Sequence, residues 1–526
     1  RFIPRAVNER AIEPRMMRRA LALLAVLPLL ACPDKKKEDP SPDTHAATPV
    51  DPKTLKQETV TVLITGAENG YLLPVTDEGK SRGGAAELLG RWVASEGHCA
   101  GPLKETGDAA CENGSTIVVS TGDNANGQAI SSYFKGEPTA ELMRQMGYAA
   151  SALGNRELDW NREQFLSNRS KGGFPYLAAN LVAKDDDGKA LGLGSFRLLT
   201  RKGVKVAIIG LAARKATVTP MPGRMKGLEA IDEAEALTKV MADVKAAGPH
   251  VVGVVSDGCL NDAPSILEGH ADWNLAFFAG RRCDGPFPDS VGGTKLVYPG
   301  SRLSTYAKVA LTVALGATPV QVTSVVTSVE VNSEGAPPAD PKAKELVDAW
   351  KKKLDEALGG TIGFTKDGIE QESPVMAHWL TTSLKEQFKT DVALLNRKGV
   401  RQALPGGVVT KASIYDLVPF DNQIVIVKLT GEALLAALDN TEARVAGVKP
   451  KGEGWVDSKG AAIDPKKTYT VATSDYLYLG GDGFALNKAD PAPTETKVSW
   501  QSALIEWTAA KKSDEKKPLE GFLKVK

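Results

Sequence analysis

The chain lacks an excess of charge of either sign. Its 65 Lys and Arg face 64 Asp and Glu, a net charge of +1 over 526 residues. That balance gives no electrostatic case for binding a nucleic-acid polymer. Histidine is scarce too: His45, His98, His250, His270 and His378 are all there are, so imidazole chemistry has five positions to draw on. The apolar stretch Ala20–Ala31 is too short to cross a bilayer as a permanent helix. No internal repeat is visible, which argues against a repeat array. Cysteine is sparse, with Cys32, Cys99, Cys111, Cys259 and Cys283. What remains is a globular composition long enough for two or three domains.

The N-terminal region reads as a targeting segment. The chain opens on Arg1, and Met16 or Met17 is the expected start, with residues 1–15 outside the product. Met17-Arg18-Arg19 is a basic opening, Ala20–Ala31 an apolar core, and Leu29-Leu30-Ala31-Cys32 resembles a bacterial lipobox. That resemblance implies lipidation at Cys32, hence a cell-envelope lipoprotein touching the membrane only through its anchor. Pro33–Pro52 is rich in Pro, Asp, Lys, Thr and Ser and reads as a solvated tether. Setting Cys32 aside leaves four cysteines, an even number for an oxidising compartment. Three connectivities are open, of which the short-range pairs Cys99–Cys111 and Cys259–Cys283 are expected.

The stretch Val118–Trp160 organises the rest. Thr116–Ser120 is an apolar, β-branched run, a buried strand that ends at Gly122-Asp123. Ala140–Met146 is helical, and Ala149–Leu153 is a second strand tipped by Gly154-Asn155-Arg156-Glu157. Open α/β sheets place their chemistry at such strand tips. Phe134-Lys135-Gly136-Glu137-Pro138, Leu153-Gly154-Asn155, Glu157 and Asp159-Trp160 then match, in order, a motif of the 5′-nucleotidase family. The stretch resembles that family's N-terminal dinuclear metallophosphoesterase domain.

The resemblance also shows what has changed. Val60–Thr65, Phe174–Leu181, Val204–Leu211, Val251–Ser256 and Leu275–Gly280 read as the family's further strands. At their tips the family carries metal ligands. Ala67 and Asn69 stand in place of an Asp and a His, Asp257 in place of a His, and Arg281 and Cys283 in place of two more. Arg156 stands where the family has its catalytic His and is read as non-catalytic. Asp123 and Asn155 are kept, and Asp257 retains a carboxylate. Alanine cannot ligate, and a guanidinium has no lone pair to give. A guanidinium about 4 Å from a divalent cation meets about 8 kcal/mol of repulsion at an effective dielectric near 20. No histidine falls on a family metal position; His98 and His250 flank elements and read as surface or capping residues. Three outcomes stay open. Asp123, Asn155 and Asp257 hold one hard cation (Mg²⁺, Mn²⁺ or Ca²⁺); Arg156, Arg281 and Arg282 bind a phosphate; or the arginines neutralise the leftover carboxylates and no cofactor binds.

Ser333–Pro341 is a Gly/Pro-rich break, followed by a helix over Pro341–Leu358 with Leu346, Trp350, Leu354 and Leu358 at i+4 spacing. Beyond it, Asp391–Arg401, Pro419–Asn422 and Ser474–Phe484 resemble motifs of the family's substrate-binding domain, although Arg397 and Lys398 replace two glycines. By that resemblance Phe420 and Tyr476 sandwich a base, Asn422 addresses its edge, Asp482 takes the ribose hydroxyls and Arg401 helps hold substrate. Core packing is the competing reading for both aromatics.

The expected organisation is a signal segment with lipobox (1–32), a tether (33–57), a metallophosphoesterase-like four-layer αββα sandwich (58–333), a linker helix (334–360) and an α/β C-terminal domain (361–526). Three functions follow: a pseudo-enzyme that binds a nucleoside or nucleotide, an active phosphohydrolase with an altered metal site, or a scaffold lipoprotein without a small ligand.

Overall fold

A computed structural model describes residues 54–523, apart from 78–79, 105, 113, 214–223, 317–320 and 332–336. Cys32, the signal segment and most of the tether lie outside the described residues. The described residues pack as one compact unit.

Two six-stranded sheets make the first lobe. One runs, in spatial order, Gln321–Val331, Thr305–Leu315, Lys56–Thr65, Thr116–Ser120, Tyr148–Ala152 and Tyr176–Leu177. The other runs Ser290–Val291, Thr294–Val297, Leu275–Arg281, Val251–Cys259, Val204–Leu211 and Phe196–Arg201. Alternation along Lys56–Thr65 explains the stacking. Val60, Val62 and Ile64 face the second sheet through a core with Val206, Ile208, Val255 and Phe277. Leu63 faces the other way, onto the helices. The central strand Thr116–Ser120 is buried along its whole length, hence its unbroken apolar run. Helices Ala85–Glu96, Glu137–Gln145 and Pro341–Leu358 cover the outer face of the first sheet. Glu233–Ala246 and Ala263–Leu267 cover that of the second. The result is the expected αββα sandwich.

One strand departs from expectation. Phe174–Leu181 is broken into Tyr176–Leu177 and Leu181–Ala183. The cause is Asn180, whose buried amide both donates to the Ala212 carbonyl and accepts its N–H, each at 2.8 Å. A side chain thus takes a backbone's place, and the chain turns away.

Helix Pro341–Leu358 forms where its periodicity put it. Asp340 caps it, and Val347, Trp350, Leu354 and Leu358 are buried in the first lobe's core. Trp350 packs on Phe134 with centroids 4.9 Å apart and donates to Glu141 Oε2 at 2.9 Å. The second lobe is a five-stranded sheet ordered Ala443–Ala446, Val392–Asn396, Thr468–Ser474, Gln423–Thr430 and Thr494–Ser499. Helices Pro374–Phe388 and Trp500–Lys511 pack on one face, and Gly431–Leu438 on the other.

The lobes meet along a seam. The Ala129 N–H donates to Asp416 Oδ1 at 2.5 Å, and the Tyr71 hydroxyl to Gln402 Oε1 at 3.3 Å. Tyr133 meets Tyr415 edge to face, centroids 5.4 Å apart. Both expected disulfides are present, Cys99–Cys111 and Cys259–Cys283, with Cα atoms 5.7 and 5.6 Å apart.

Candidate functional site

The ends of the first lobe's strands gather the polar residues flagged in the sequence. Asp123 sits just past Thr116–Ser120 with φ 59°. A Cβ on Gly154 would stand 2.3 Å from Asp123 Oδ1, so only glycine lets these two tips approach. The Arg156 backbone N–H donates to Asp123 Oδ1 at 3.1 Å. Arg281, at the end of Leu275–Arg281, reaches the other side of the carboxylate. Its Nη1 donates to Asp123 Oδ2 at 2.7 Å and to Asp257 Oδ1 at 3.1 Å. Both carboxylates are buried, with side chains 3% and 0% exposed, whereas Arg281 is 38% exposed. The two carboxylates raise the Arg281 pKa despite its burial. Burial and then Asp123 push the Asp257 carboxyl well up, with Arg281 opposing them. The Cys259–Cys283 bridge links the same two strand ends.

More acid lies beneath. Glu68, unremarked in the sequence, accepts from Thr65 Oγ1 at 2.5 Å and Ser120 Oγ at 3.0 Å. Burial raises its carboxyl to about 7. Glu157 accepts the Asn124 N–H at 2.6 Å, and burial followed by Asp123 pushes it well above the usual carboxylate range. Ala67 keeps a left-handed backbone at φ 45° and donates its N–H to the Gly122 carbonyl at 2.9 Å. The loop thus holds a left-handed turn at a residue whose side chain cannot ligate. Asn155 Nδ2 and Asp257 Oδ2 are buried without a hydrogen-bond partner among the described residues. Among the described residues, too, no group of three or more His, Cys, Asp or Glu is arranged to hold a metal ion.

The histidines among the described residues lie elsewhere. His98, expected at the surface or capping, is buried and bridges Thr116 Oγ1 at 2.8 Å and the Met146 carbonyl at 3.0 Å. It joins the opposite end of the central strand to the helix layer, and burial lowers its pKa to about 4. His250 accepts the Lys205 N–H at 3.2 Å, as a capping residue does. Arg282 is exposed and lies outside the cluster.

Between the lobes lies a cavity of about 120 Å³. Arg401, Phe420, Asn422, Tyr476 and Asp482 line it together with Arg156. These six were flagged in the sequence; Asp159, Arg224, Asn396, Lys398 and Gly399 complete the set without a role assigned beforehand. Asp482 is the fixed point of its wall. It accepts from Asn396 Nδ2 at 2.7 Å and from the Tyr476 hydroxyl at 3.2 Å. Gly481 is required there, since a Cβ would come within 2.4 Å of the Tyr476 ring. Arg397, which replaces a glycine, pairs with Glu372 and Glu442, and Lys398, which replaces another and lines the cavity, pairs with Glu442.

Arg156 connects cavity and strand tips. Its guanidinium pairs with Asp159 Oδ2 at 3.3 Å and lies 4.7 Å from the Phe420 ring centroid. Burial opposes its charge, but Asp159 and Asp123 outweigh burial and raise its pKa. Arg401 lies 5.9 Å from the same centroid. Burial and Arg156 together bring its pKa down to about 10.

Comparison with known proteins agrees with this geometry. A profile described as "5'-nucleotidase, C-terminal domain" matches residues 358–488. Endonuclease YhcR of Bacillus subtilis is 23% identical over 70% of this chain, which spans only 33% of that longer protein. Protein UshA of Yersinia enterocolitica is 26% identical over 75% of this chain and 83% of its own. Among solved structures, a 5′-nucleotidase precursor from Thermus thermophilus superposes with a TM-score of 0.70 at 22% identity. That match covers 88% of this chain and 98% of the other and shows a shared fold. The motif order, the two-lobed fold and these relatives all support the 5′-nucleotidase family as the one this chain resembles.

Proposed function

We propose that this protein is a non-catalytic family member in which internal ion pairs replace the two-metal centre, and in which the cavity between the lobes receives a nucleoside or nucleotide. The observation that carries the first half is Arg281, whose one Nη1 bridges Asp123 and Asp257. A two-metal centre holds its ions about 3.5–4 Å apart with ligands around both. Here the retained carboxylates are already neutralised by a permanent cation without a lone pair, and Ala67 offers no donor. The side chains present do not fit a divalent pair. A single Mg²⁺, Mn²⁺ or Ca²⁺ on Asp123, Asn155 and Asp257 would have to displace the same guanidinium.

The second half rests on Phe420, Tyr476, Asn422, Asp482 and Arg401 lining one cavity. Aromatic faces stack on any base. Asp482, oriented by Asn396 and Tyr476, presents acceptor oxygens to hydroxyl groups. Relatives carry the names UshA and 5′-nucleotidase. The lipobox at Cys32 supports a lipid-anchored location in the cell envelope.

Metal content and hydrolysis test this reading on one sample. The purified protein is soaked in Mn²⁺ and Zn²⁺, desalted and assayed by elemental analysis, then given adenosine 5′-monophosphate. The expected result is neither retained ions nor phosphate release. Two ions per chain with turnover would overturn the proposal.

A further inference from the structure

The three large sheets have six edges, and five of these are blunted. Tyr176–Leu177 and Ser290–Val291 are two residues long, and Ala443–Ala446 is four residues long and carries Arg444. Phe196–Arg201 carries Arg197 and Arg201. Thr494–Ser499 carries Glu495 and Lys497, with Lys497 at φ 58° and a register shift in its pairing. Short length, charge and bulges keep a sheet edge from taking up another strand.

The sixth edge has little of this protection. Gln321–Val331 runs for 11 residues as QVTSVVTSVEV, with no Lys, Arg or Pro and a single charge at Glu330. Among the described residues it pairs on one side only, with Thr305–Leu315. That ladder is regular from Ser324 to Val331, and its one register shift lies before Ser324. Val322 and Val325 are half-buried on the sandwich core, and Thr327 is exposed. The core holds the strand in place, while its outer row of N–H and C=O groups has no strand partner among the described residues. A β-branched row of this length is a template for a further strand.

We propose that Gln321–Val331 pairs antiparallel with the same strand of a second copy, across a two-fold axis normal to the sheet, so that two first lobes share one continuous sheet. Three features select a second copy as the occupant. First, charge permits it. Opposed residues share a face of the sheet, so an axis normal to it pairs only residues whose numbers add to an even total. Centring it on Thr327 sets Val326 opposite Ser328, Val325 opposite Val329 and Ser324 opposite Glu330, all within the regular stretch. The two Glu330 then stand at opposite ends of the ladder, and no like charges oppose each other. Second, a strand with one charge gives a foreign strand little to be selected by, whereas its own copy matches it in length and pattern. Third, the pairing closes. The far edge of the same sheet is Tyr176–Leu177, too short to seat another strand, so assembly ends at two copies. One strand pair is a small contact, so the dimer depends on concentration. The anchoring proposed above would favour it by confining copies to one membrane surface.

Sedimentation velocity of the full chain in detergent, over a concentration series, tests this with two variants. The parent should shift from monomer to dimer as concentration rises. Thr327→Lys sets two ammonium groups opposite each other at the axis and should weaken dimerisation by about tenfold or more. Thr327 is exposed, and an unchanged melting temperature verifies that the fold is kept. Thr327→Cys sets two thiols at the axis, where opposed Cα atoms stand about 4.5–5.5 Å apart, within disulfide reach. Under mild oxidation it should cross-link copies much faster than Lys239→Cys, an exposed position on the helix layer of the second sheet. A parent that stays monomeric throughout, a dimer that Thr327→Lys leaves intact, or cross-linking no faster at Thr327 than at Lys239 would each overturn the proposal. Species larger than a dimer would overturn the closed pairing.

Discussion

Removing Arg281 is the sharpest perturbation available. Arg281→Ala leaves Asp123 and Asp257, both almost fully buried, facing each other without their shared donor. Breaking a fully buried ion pair by deleting one partner costs about 3–5 kcal/mol. Arg281 is itself 38% exposed, so water already screens part of the attraction, and about 2–3 kcal/mol is the expected loss. Urea unfolding followed by tryptophan fluorescence reads this directly. The double variant Asp257→Asn, Arg281→Gln should lose less than the two single changes together, since it leaves fewer uncompensated charges. A further arm tests what the guanidinium replaces. With Arg281 gone, Asp123, Asp257 and Asn155 are oxygen donors free to take a cation, so millimolar Mn²⁺ should restabilise the variant and leave the parent unmoved. A loss below about 0.5 kcal/mol would refute the burial argument. Mn²⁺ stabilisation of the parent would refute the claim that the position is already filled.

Three further outcomes are expected. Asp416 is raised by burial from its ordinary 3.8 to about 7, so the native state holds a proton that the unfolded chain releases, and stability should fall as pH rises from about 4 to about 7; Asp416→Asn should flatten that slope, and identical pH profiles for variant and parent would refute it. Replacing Cys259 and Cys283 by Ala, which opens a link between residues 24 apart in sequence, should cost about 3 kcal/mol in the chain-entropy model, seen as a lower melting temperature. Phe420→Ala should weaken nucleotide binding by about 1–3 kcal/mol in calorimetric titrations, and unchanged affinity would mean that the ring is only core.

The sequence carried the elements whose signal is local. Val204–Leu211 and Thr116–Ser120 are dense β-branched runs, and both strands match their expected bounds. Pro341–Leu358 has apolar spacing that only a helix satisfies, and its bounds also match. The two disulfides follow from counting and short separations. What the sequence could not carry depends on meetings between distant segments. Arg281 could be seen to spoil a metal site, and neutralisation of the leftover acids was one of three readings; that a single Nη1 touches both Asp123 and Asp257 needs two strand ends aligned in space. Arg156 reaching Phe420 needs two lobes docked in one orientation. Asn180 breaks a strand because its amide finds the backbone of Ala212, 32 residues on. His98 lacked any cue for burial, since its partners Thr116 and Met146 lie on other elements.

The helix Pro341–Leu358 has a mechanical consequence. It belongs to the first lobe's core, and the second lobe's first strand begins at Thr361. Gly359 and Gly360 are therefore the whole covalent bridge between the lobes. So short a leash keeps the opposing faces permanent neighbours, at an effective concentration of about millimolar or above. The seam adds an amide–carboxylate bond, a hydroxyl–amide bond, an aromatic pair and a cation on a ring, with Ala412 and Tyr415 packed against the first lobe's core. A protease cut at Gly359-Gly360 should then release the second lobe as a separate piece, although no contact in the seam has been altered.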